Sequence, residues 1–437
     1  MNAAAFRTAI PSLNAILERN RSGEPIGLYS VCCAHPLVIC AALELARDRG
    51  QVAVIESTCN QVNQDGGYTG LTPAQFADQV RAAARAVGLP AAQLVLGGDH
   101  LGPQPWRDLP AEAAMAKAVA MIAAYAKAGY GKLHLDCSMA CADDPEALSD
   151  DVIAARAALL AATAEAAIGD AEERPVYVIG TEVPAPGGMG KGHAITPTDP
   201  ANVAITWHAH EAAFGQISLQ AALKRVCAIV VQPGLDFGNE DVVHFDPTGA
   251  TELSHAVLDL PGAVYEAHST DYQRPGAYRA LVAGHFAILK VGPAATFALR
   301  EAIYALEAIA QELAGWDPRW SVGTALEAAM LRDPRHWESH YAGDPAHQAY
   351  LRHFSYSDRL RYYWTDPAVN EAFSGLMKFL RTRPLPMPLI SQYLPQHYDA
   401  VAAGTLDATP SSLVSATVRR ALDPYAGACG NHLAARA

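Results

Sequence analysis

"LVLGGDHLGP", residues 94–103, joins two unlike halves. Its start is a short apolar run of the kind that forms a strand buried on both faces. Two glycines follow, and then an acid and an imidazole side by side, Asp99 and His100. A core strand that ends on a carboxylate and a metal-capable base reads as a strand whose carboxyl end meets a ligand. The same design recurs along the chain. Short Val- and Ile-rich runs stand at 26–32, 51–58, 93–100, 131–138, 176–183, 227–234, 263–270 and 285–292. They lack strict alternation of apolar and polar residues, as strands of a parallel sheet do.

The segments between them are rich in Ala and Leu. "PLVICAALELARDRG" (36–50) opens on Pro and closes on Gly, "TPAQFADQVRAAARAVGL" (72–89) opens on Thr-Pro, and 111–130 is uniformly helix-forming. Strand then helix, eight times over in about 300 residues, predicts an α/β fold of the (β/α)8 TIM-barrel kind. The rival is an open doubly wound sheet, but no GxGxxG follows the first strand, so no nicotinamide cofactor is expected. The barrel is read over 1–315, closed by the helix at 296–315. Residues 316–437 read as a helical extension packed on it, without a low-complexity linker.

The chain of 437 residues is 51% hydrophobic and 18% charged, with a formal charge of -13. It contains no basic block, which argues against a nucleic-acid partner. No apolar stretch approaches the roughly 18–20 residues of a membrane span. The start lacks a cationic segment followed by an apolar core, and eight cysteines read as reduced thiols, so a cytoplasmic location is expected.

In such a barrel the active site lies at the carboxyl ends of the strands. Those ends are polar throughout: Ser30, Cys32 and His35; Glu56, Ser57 and Asn60; Asp99 and His100; His134 and Asp136; Thr181 and Glu182; Gln232 and Asp236; Glu266, His268, Ser269 and Asp271; Lys290. A single Asp there is usually a helix cap and a single His a satisfied core residue. Recurrence at one register is what points to a ligand, because buried charges without partners are costly. His100, Glu182 and His268 offer two imidazoles and a carboxylate, a set that suits a catalytic divalent metal, with Asp136 or Asp236 completing the shell. "STDYQ" (269–273) and "KVGPA" (290–294) fall where such barrels bind phosphate, and Gly66, Gly67, Gly97, Gly98, Gly187, Gly188 and Gly292 permit tight turns or close approach to a ligand. In "SYSDRLRYYW" (355–364), Arg359 and Arg361 either sit on a helix against the barrel wall or reach over the mouth to a phosphate.

"YSVCCAHPLVI", "NQVNQDGGYTG", "LGGDHLGP", "KLHLDCSMAC", "VIGTEVPAPGG", "YEAHSTDYQ", "HFAILKVGPA", "YSDRLRYYW" and "PLISQYLP" resemble the Z-type subunits of D-tagatose-1,6-bisphosphate aldolase, the GatZ/KbaZ family, over nearly the whole chain. That family is similar in turn to class II, metal-dependent ketose-bisphosphate aldolases. The resemblance implies Asp99 as proton donor, His100 and His268 as ligands, and Glu182 as acid/base or ligand to a divalent ion, Zn2+ or Mn2+. The aldolases' ligand histidine on strand 6 has no counterpart here: "VVQPGLDFGN" holds Gln232 and Asp236 instead. No GxxxxGK[ST] loop supports a kinase.

Two functions follow from the family. One is a metal-dependent 4-epimerase interconverting D-tagatose 6-phosphate and D-fructose 6-phosphate in galactitol or tagatose catabolism. The other is a subunit without catalysis of its own that supports a class II aldolase catalytic subunit. The expected partners are a phosphorylated ketohexose and either that subunit or a second copy of the chain. Because C4 is β to the ketose carbonyl, inversion there requires transient oxidation or retro-aldol cleavage of C3–C4 and re-addition. The second route needs a metal at the carbonyl oxygen and an acid/base at the C4 hydroxyl. Asp99 and Glu182 are the expected catalytic groups. His100, Glu182, His268 and Asp136 are the expected ligands, and Ser30, Asn60, Gln232, Ser269, Asp271, Lys290 and Arg359 the expected substrate contacts.

Overall fold

The computed structural model describes residues 9–170, 173–182 and 195–431. All eight apolar runs are strands: β1 Leu28–Cys32, β2 Ala53–Thr58, β3 Leu94–Leu101, β4 Lys132–Leu135, β5 Val176–Ile179, β6 Val226–Val231, β7 Val264–Ala267 and β8 Ile288–Val291. They close into one parallel barrel in which β1 pairs with β8 as well as with β2. A two-residue antiparallel hairpin, Asp236–Phe237 with Val242–Val243, follows β6 outside the barrel.

Two apolar layers hold the wall. Inside, Leu28, Val54, Val95, Val176, Val178, Val230, Val264 and Ile288 fill the axis. Ile10, Leu13, Ile16 and Leu17 of the first helix, Ile10–Arg21, join that cluster and close the barrel's amino end. Outside, the other face of each strand packs on the surrounding helices, which explains why the runs are apolar without alternation. The predicted punctuation marks are the helix boundaries. Pro36–Arg49 ends on Gly50 at φ 62°, and Pro73–Val87 starts with a capping box between Thr72 and Gln75.

The glycines of the opening stretch make room. A Cβ on Gly97 would fall 2.6 Å from Cγ of Glu56, inside the barrel, and one on Gly98 would fall 2.8 Å from the Tyr125 ring, outside it. A Cβ on Gly102 would overlap the carbonyl oxygen of Asp136.

Beyond the barrel, the helices Val322–Arg332, Pro345–Phe354, Pro367–Arg381 and Met387–Tyr393 lead to Pro410–Cys429. That last helix lies against Pro36–Arg49, Pro275–Ala283 and Pro293–Gln311. Tyr425 donates to the Thr270 carbonyl at 2.8 Å, and Gly27 N–H donates to the Cys429 carbonyl at 2.8 Å, so the extension is tied to both ends of the barrel. All eight cysteines are free, and no helix of the described residues is long and apolar enough to cross a membrane.

The collision at Gly102 involves backbone, which cannot step aside. Gly102→Ala is expected to cost about 3 kcal/mol or more, at the upper end of overpacking effects. A urea melt showing the wild-type midpoint would refute the packing account.

Candidate metal centre and substrate cavity at the barrel mouth

Five strands bring ionisable side chains to one place: Glu56 from β2, Asp99 and His100 from β3, Lys132 and His134 from β4, Glu266 from β7 with His268 just after it, and Lys290 from β8. Residues two apart share a strand face, so Lys132 and His134 both point inward. Asp99 and His100 are adjacent and should point apart. They do not, because the β3–β4 register shifts between Gly98 and Leu101 and His100 takes φ 48°. The bulge turns the second side chain back toward the mouth.

The charges are paired in a single network. Lys132 Nζ lies 2.7 Å from Glu56 and 2.6 Å from Glu266, all three fully buried. Lys290 Nζ contacts Glu56 and lies 2.9 Å from Asp99 and 3.5 Å from Glu266. Burial would raise Asp99, but the charges of His100 and Lys290 and the His134 hydrogen bond hold it well below the usual carboxylate range. Glu266 is likewise held low, against its burial, by Lys132 and Lys290.

Each of three imidazoles has one nitrogen tied to a carboxylate. His100 Nδ1 is 2.7 Å from Asp136 Oδ2, His134 Nδ1 is 3.0 Å from Asp99 Oδ1, and His268 Nε2 is 3.0 Å from Glu266 Oε1. All three acids are held ionised, so they accept and the rings donate. The backbone N–H of His100 has both Asp99 Oδ1 at 3.0 Å and His134 Nδ1 at 3.2 Å within reach. The shorter, charge-assisted contact takes that proton and leaves Nδ1–H of His134 to donate. The opposite nitrogens, His100 Nε2, His134 Nε2 and His268 Nδ1, are buried without a hydrogen-bond partner among the described residues, and His100 Nε2 lies 3.8 Å from Asp99 Oδ2. Burial also lowers His268 to about 4, which keeps that nitrogen unprotonated at neutral pH. The rings sit 4.9–5.3 Å apart, centre to centre. One ligand atom each of Asp99, His134, Glu266 and His268 lies within 4.8 Å of the others.

This arrangement fits a divalent metal ion. Carboxylate oxygens of Asp99 and Glu266 clustered with ring nitrogens of His134 and His268, and with the His100 ring beside them, form a donor set of the kind that zinc or another first-row ion takes. The charge count agrees. Glu56, Asp99, Asp136 and Glu266 oppose only Lys132 and Lys290, so two negative charges remain when the imidazoles are neutral.

A cavity of about 340 Å³ opens above the cluster. Asp99, His100, Asp136, His268 and Lys290 line its floor, and Asn60, Tyr68, Gln104, Ser269 and Asp271 line its sides. The extension supplies the roof, through His340, Arg359, Arg361 and Tyr362. Arg359 and Arg361 therefore stand at the mouth on the short turn Arg359–Tyr363, and neither has a carboxylate partner among the described residues. Arg359 donates to the His336 carbonyl at 2.9 Å while its Nε is buried and unpartnered. Arg361 donates to the carbonyls of Ser357 and Asp358.

Of the residues expected from sequence, Asp99, His100, Asp136, His268, Asn60, Ser269, Asp271, Lys290 and Arg359 meet at this cavity. Five of the expected residues are placed otherwise. Glu182 does not join the cluster: β5 ends at Ile179, and the Glu182 side chain, exposed on the exit turn, accepts from Asn202 of the next helix at 2.5 Å. Asp136 orients His100 rather than standing with the free nitrogens, and its other oxygen accepts from Ser138 at 2.7 Å. Gln232 caps its own turn, accepting from Gly234 and Leu235, and Asp236 is used up in the hairpin, accepting from Phe237. Ser30 is buried in the wall beside Lys290 and does not line the cavity. Gly187 and Gly188 lie outside the described residues. His134 is a candidate ligand that the sequence reading does not single out, although Lys132, His134 and Asp136 in "GKLHLDCS" form a row of ionisable residues on one strand face.

Fold and site together define a (β/α)8-barrel protein whose mouth can hold a divalent metal beside buried acids and under an arginine-bearing roof. Residues 13–430 match the model of the family described as D-tagatose-1,6-bisphosphate aldolase subunit GatZ/KbaZ-like, and the chain belongs to that family. It is 47% identical over 424 residues to the D-tagatose-1,6-bisphosphate aldolase subunit GatZ of Klebsiella pneumoniae, covering 96% of this chain and 99% of the relative. It is 46% identical over 419 residues to the GatZ subunit of Salmonella dublin, covering 95% and 99%. The crystal structure of a probable tagatose 6 phosphate kinase from Sinorhizobium meliloti 1021 superposes with a TM-score of 0.85 at 48% identity, over 92% of this chain and all of that one.

The metal site is testable without any substrate. The purified chain is expected to hold zinc or manganese after dialysis. His100→Ala, His134→Ala and His268→Ala should each release it, and Asp136→Asn and Glu266→Gln should weaken it about 10–100-fold, as loss of a ligand's orienting partner does. Glu182→Gln should leave metal content unchanged. Elemental analysis showing full metal in all three histidine variants would remove the site.

Proposed function

We propose that this protein is a Z-type subunit in the handling of phosphorylated ketohexoses and that its own barrel mouth is a metal-dependent retro-aldol site. The family supports the first half. The carrying observation for the second half is the set of three buried imidazole nitrogens without a hydrogen-bond partner among the described residues, each ring held at its other nitrogen by a carboxylate. A purely supporting subunit has no use for them, and buried polar atoms left unpaired are destabilising.

A divalent ion held there would supply Lewis-acid polarisation of the ketose carbonyl. The chain's own groups do the rest. Asp136, Asp99 and Glu266 keep the three rings in the tautomer that presents a bare nitrogen. Asp99, in the cavity floor, takes the C4 hydroxyl proton as C3–C4 breaks and returns it when the bond re-forms. Lys290, 2.9 Å from Asp99, balances the charge of its ionised form. The roof formed by His340, Arg359, Arg361 and Tyr362 limits escape of the aldehyde fragment. Rotation of that fragment before re-addition inverts C4, which would make the chain a 4-epimerase acting between D-tagatose 6-phosphate and D-fructose 6-phosphate. Its release would make the site a cleaving one.

The second reading is that of the relatives' name: the chain works as the partner of a class II aldolase catalytic subunit. The length and full coverage of the match to those subunits favour it.

One assay separates the two. The chain alone, with zinc or manganese, is given D-tagatose 6-phosphate deuterated at C4. The retro-aldol reading predicts D-fructose 6-phosphate with the label retained, and a fall of about 10²-fold or more in Asp99→Asn. No conversion alone, with triose formation restored only by an added class II subunit, would establish the supporting role instead.

A further inference from the structure

The N-terminal turn of Pro293–Gln311, after β8, is where barrels of this kind cradle a phosphate on backbone amides. Here those amides are already taken. Asp271 Oδ1 accepts from Gly292 N–H at 3.1 Å and from Ala294 N–H at 2.8 Å. The carboxylate is part of the cavity wall, beside Ser269, Lys290, Gly292 and Pro293. It stands where a phosphate would stand, and although burial pushes it up to about 6, it is mostly ionised at neutral pH and carries charge of the same sign. Across the same cavity, Arg359 and Arg361 have no carboxylate partner and Arg359 Nε has no hydrogen-bond partner among the described residues.

We infer that the cavity takes a ketose with a single phosphate, held by Arg359 and Arg361 of the extension, and that Asp271 excludes a second phosphate from the β7–β8 corner. This rests on the ketose-phosphate reading above and adds the polarity of the bound sugar. The end that reaches Asp271 carries a hydroxyl, which can donate to Oδ2. A phosphate there would lose both amides to Asp271 and would face a carboxylate at contact distance. Like charges juxtaposed in this way are among the strongest ways to reject a ligand.

Calorimetry on the full chain, loaded with zinc, tests this with fructose 6-phosphate and fructose 1,6-bisphosphate as probes and without reliance on turnover. The wild type is expected to bind the monophosphate at least about tenfold more tightly than the bisphosphate. Asp271→Gly, which frees the amides, and Asp271→Asn, which keeps the helix cap but removes the charge, should each narrow that ratio by about tenfold or more. Arg359→Ala combined with Arg361→Ala should abolish monophosphate binding. If the wild type prefers the bisphosphate, or the ratio is unchanged in both Asp271 variants, the inference falls while the ketose-phosphate reading stands. If the wild type binds neither sugar, that reading falls and takes the inference with it.

Discussion

The mouth of this barrel depends on two ammonium groups buried on its axis. Lys132 and Lys290 lie within hydrogen-bond reach of Glu56, Glu266 and Asp99, and Lys132, Glu56 and Glu266 have no solvent access. A buried charge is tolerable only when it is closely paired, and removing one partner costs about 3–5 kcal/mol because the other is stranded. The network therefore fixes the positions of β2, β3, β4, β7 and β8 relative to one another. It also keeps Asp99 and Glu266 ionised, and an ionised carboxylate can only accept. That single fact sets the tautomers of His134 and His268 and leaves their opposite nitrogens bare. Charge pairing in the floor thus prepares the donor set in the layer above it.

The network has a surplus. With neutral imidazoles, four carboxylates face two ammonium groups, and His100 is drawn toward protonation by Asp99 and Asp136 in spite of its burial. A proton on His100 would cancel one charge and occupy a free nitrogen, while a divalent ion would cancel two. Metal binding and proton release are then linked. The same surplus explains why the centre needs no further carboxylate from Glu182. The negative charge that such a ligand would bring is already present, one bond away from each imidazole.

The barrel was legible because its strands are buried on both faces and so read as apolar runs, and because Pro and Gly mark the helix ends at Pro36, Gly50 and Pro73. The cluster was legible as a recurrence of polar residues at strand ends. Its internal order was not. His100 reaches the cavity only through the bulge and its positive φ, and residue spacing alone cannot show a register shift. Glu182 was misplaced because the apolar run at 176–183 hides where β5 stops. His134 is not singled out because the third ligand is assigned to Glu182 after strand 5, by analogy. The row Lys132, His134, Asp136 held the answer, since a fully buried strand has no reason to carry three ionisable side chains on one face unless they partner one another. The packing duties of Gly97, Gly98 and Gly102 also depend on neighbours far away in sequence, Glu56, Tyr125 and Asp136.

The extension solves a problem that the barrel leaves. The chain carries a formal charge of -13, and the floor of the cavity is itself negative, so an anionic sugar meets repulsion from both. At physiological salt, exposed charges beyond about 8 Å are largely screened, and what counts is the sign of the groups at contact distance. Ser355, Ser357 and Tyr356 fasten the strap to Asn239 by three hydrogen bonds. Asp358, at φ 42°, anchors it below through Thr296 and Arg300. Between these anchors the chain turns Arg359 and Arg361 over the opening. Two guanidinium groups without carboxylate partners, held above an acidic floor, give the cavity a direction. An anionic group is favoured at the roof and disfavoured at the floor, so the sugar phosphate of the proposed function would enter with its uncharged carbons pointing down toward the imidazoles.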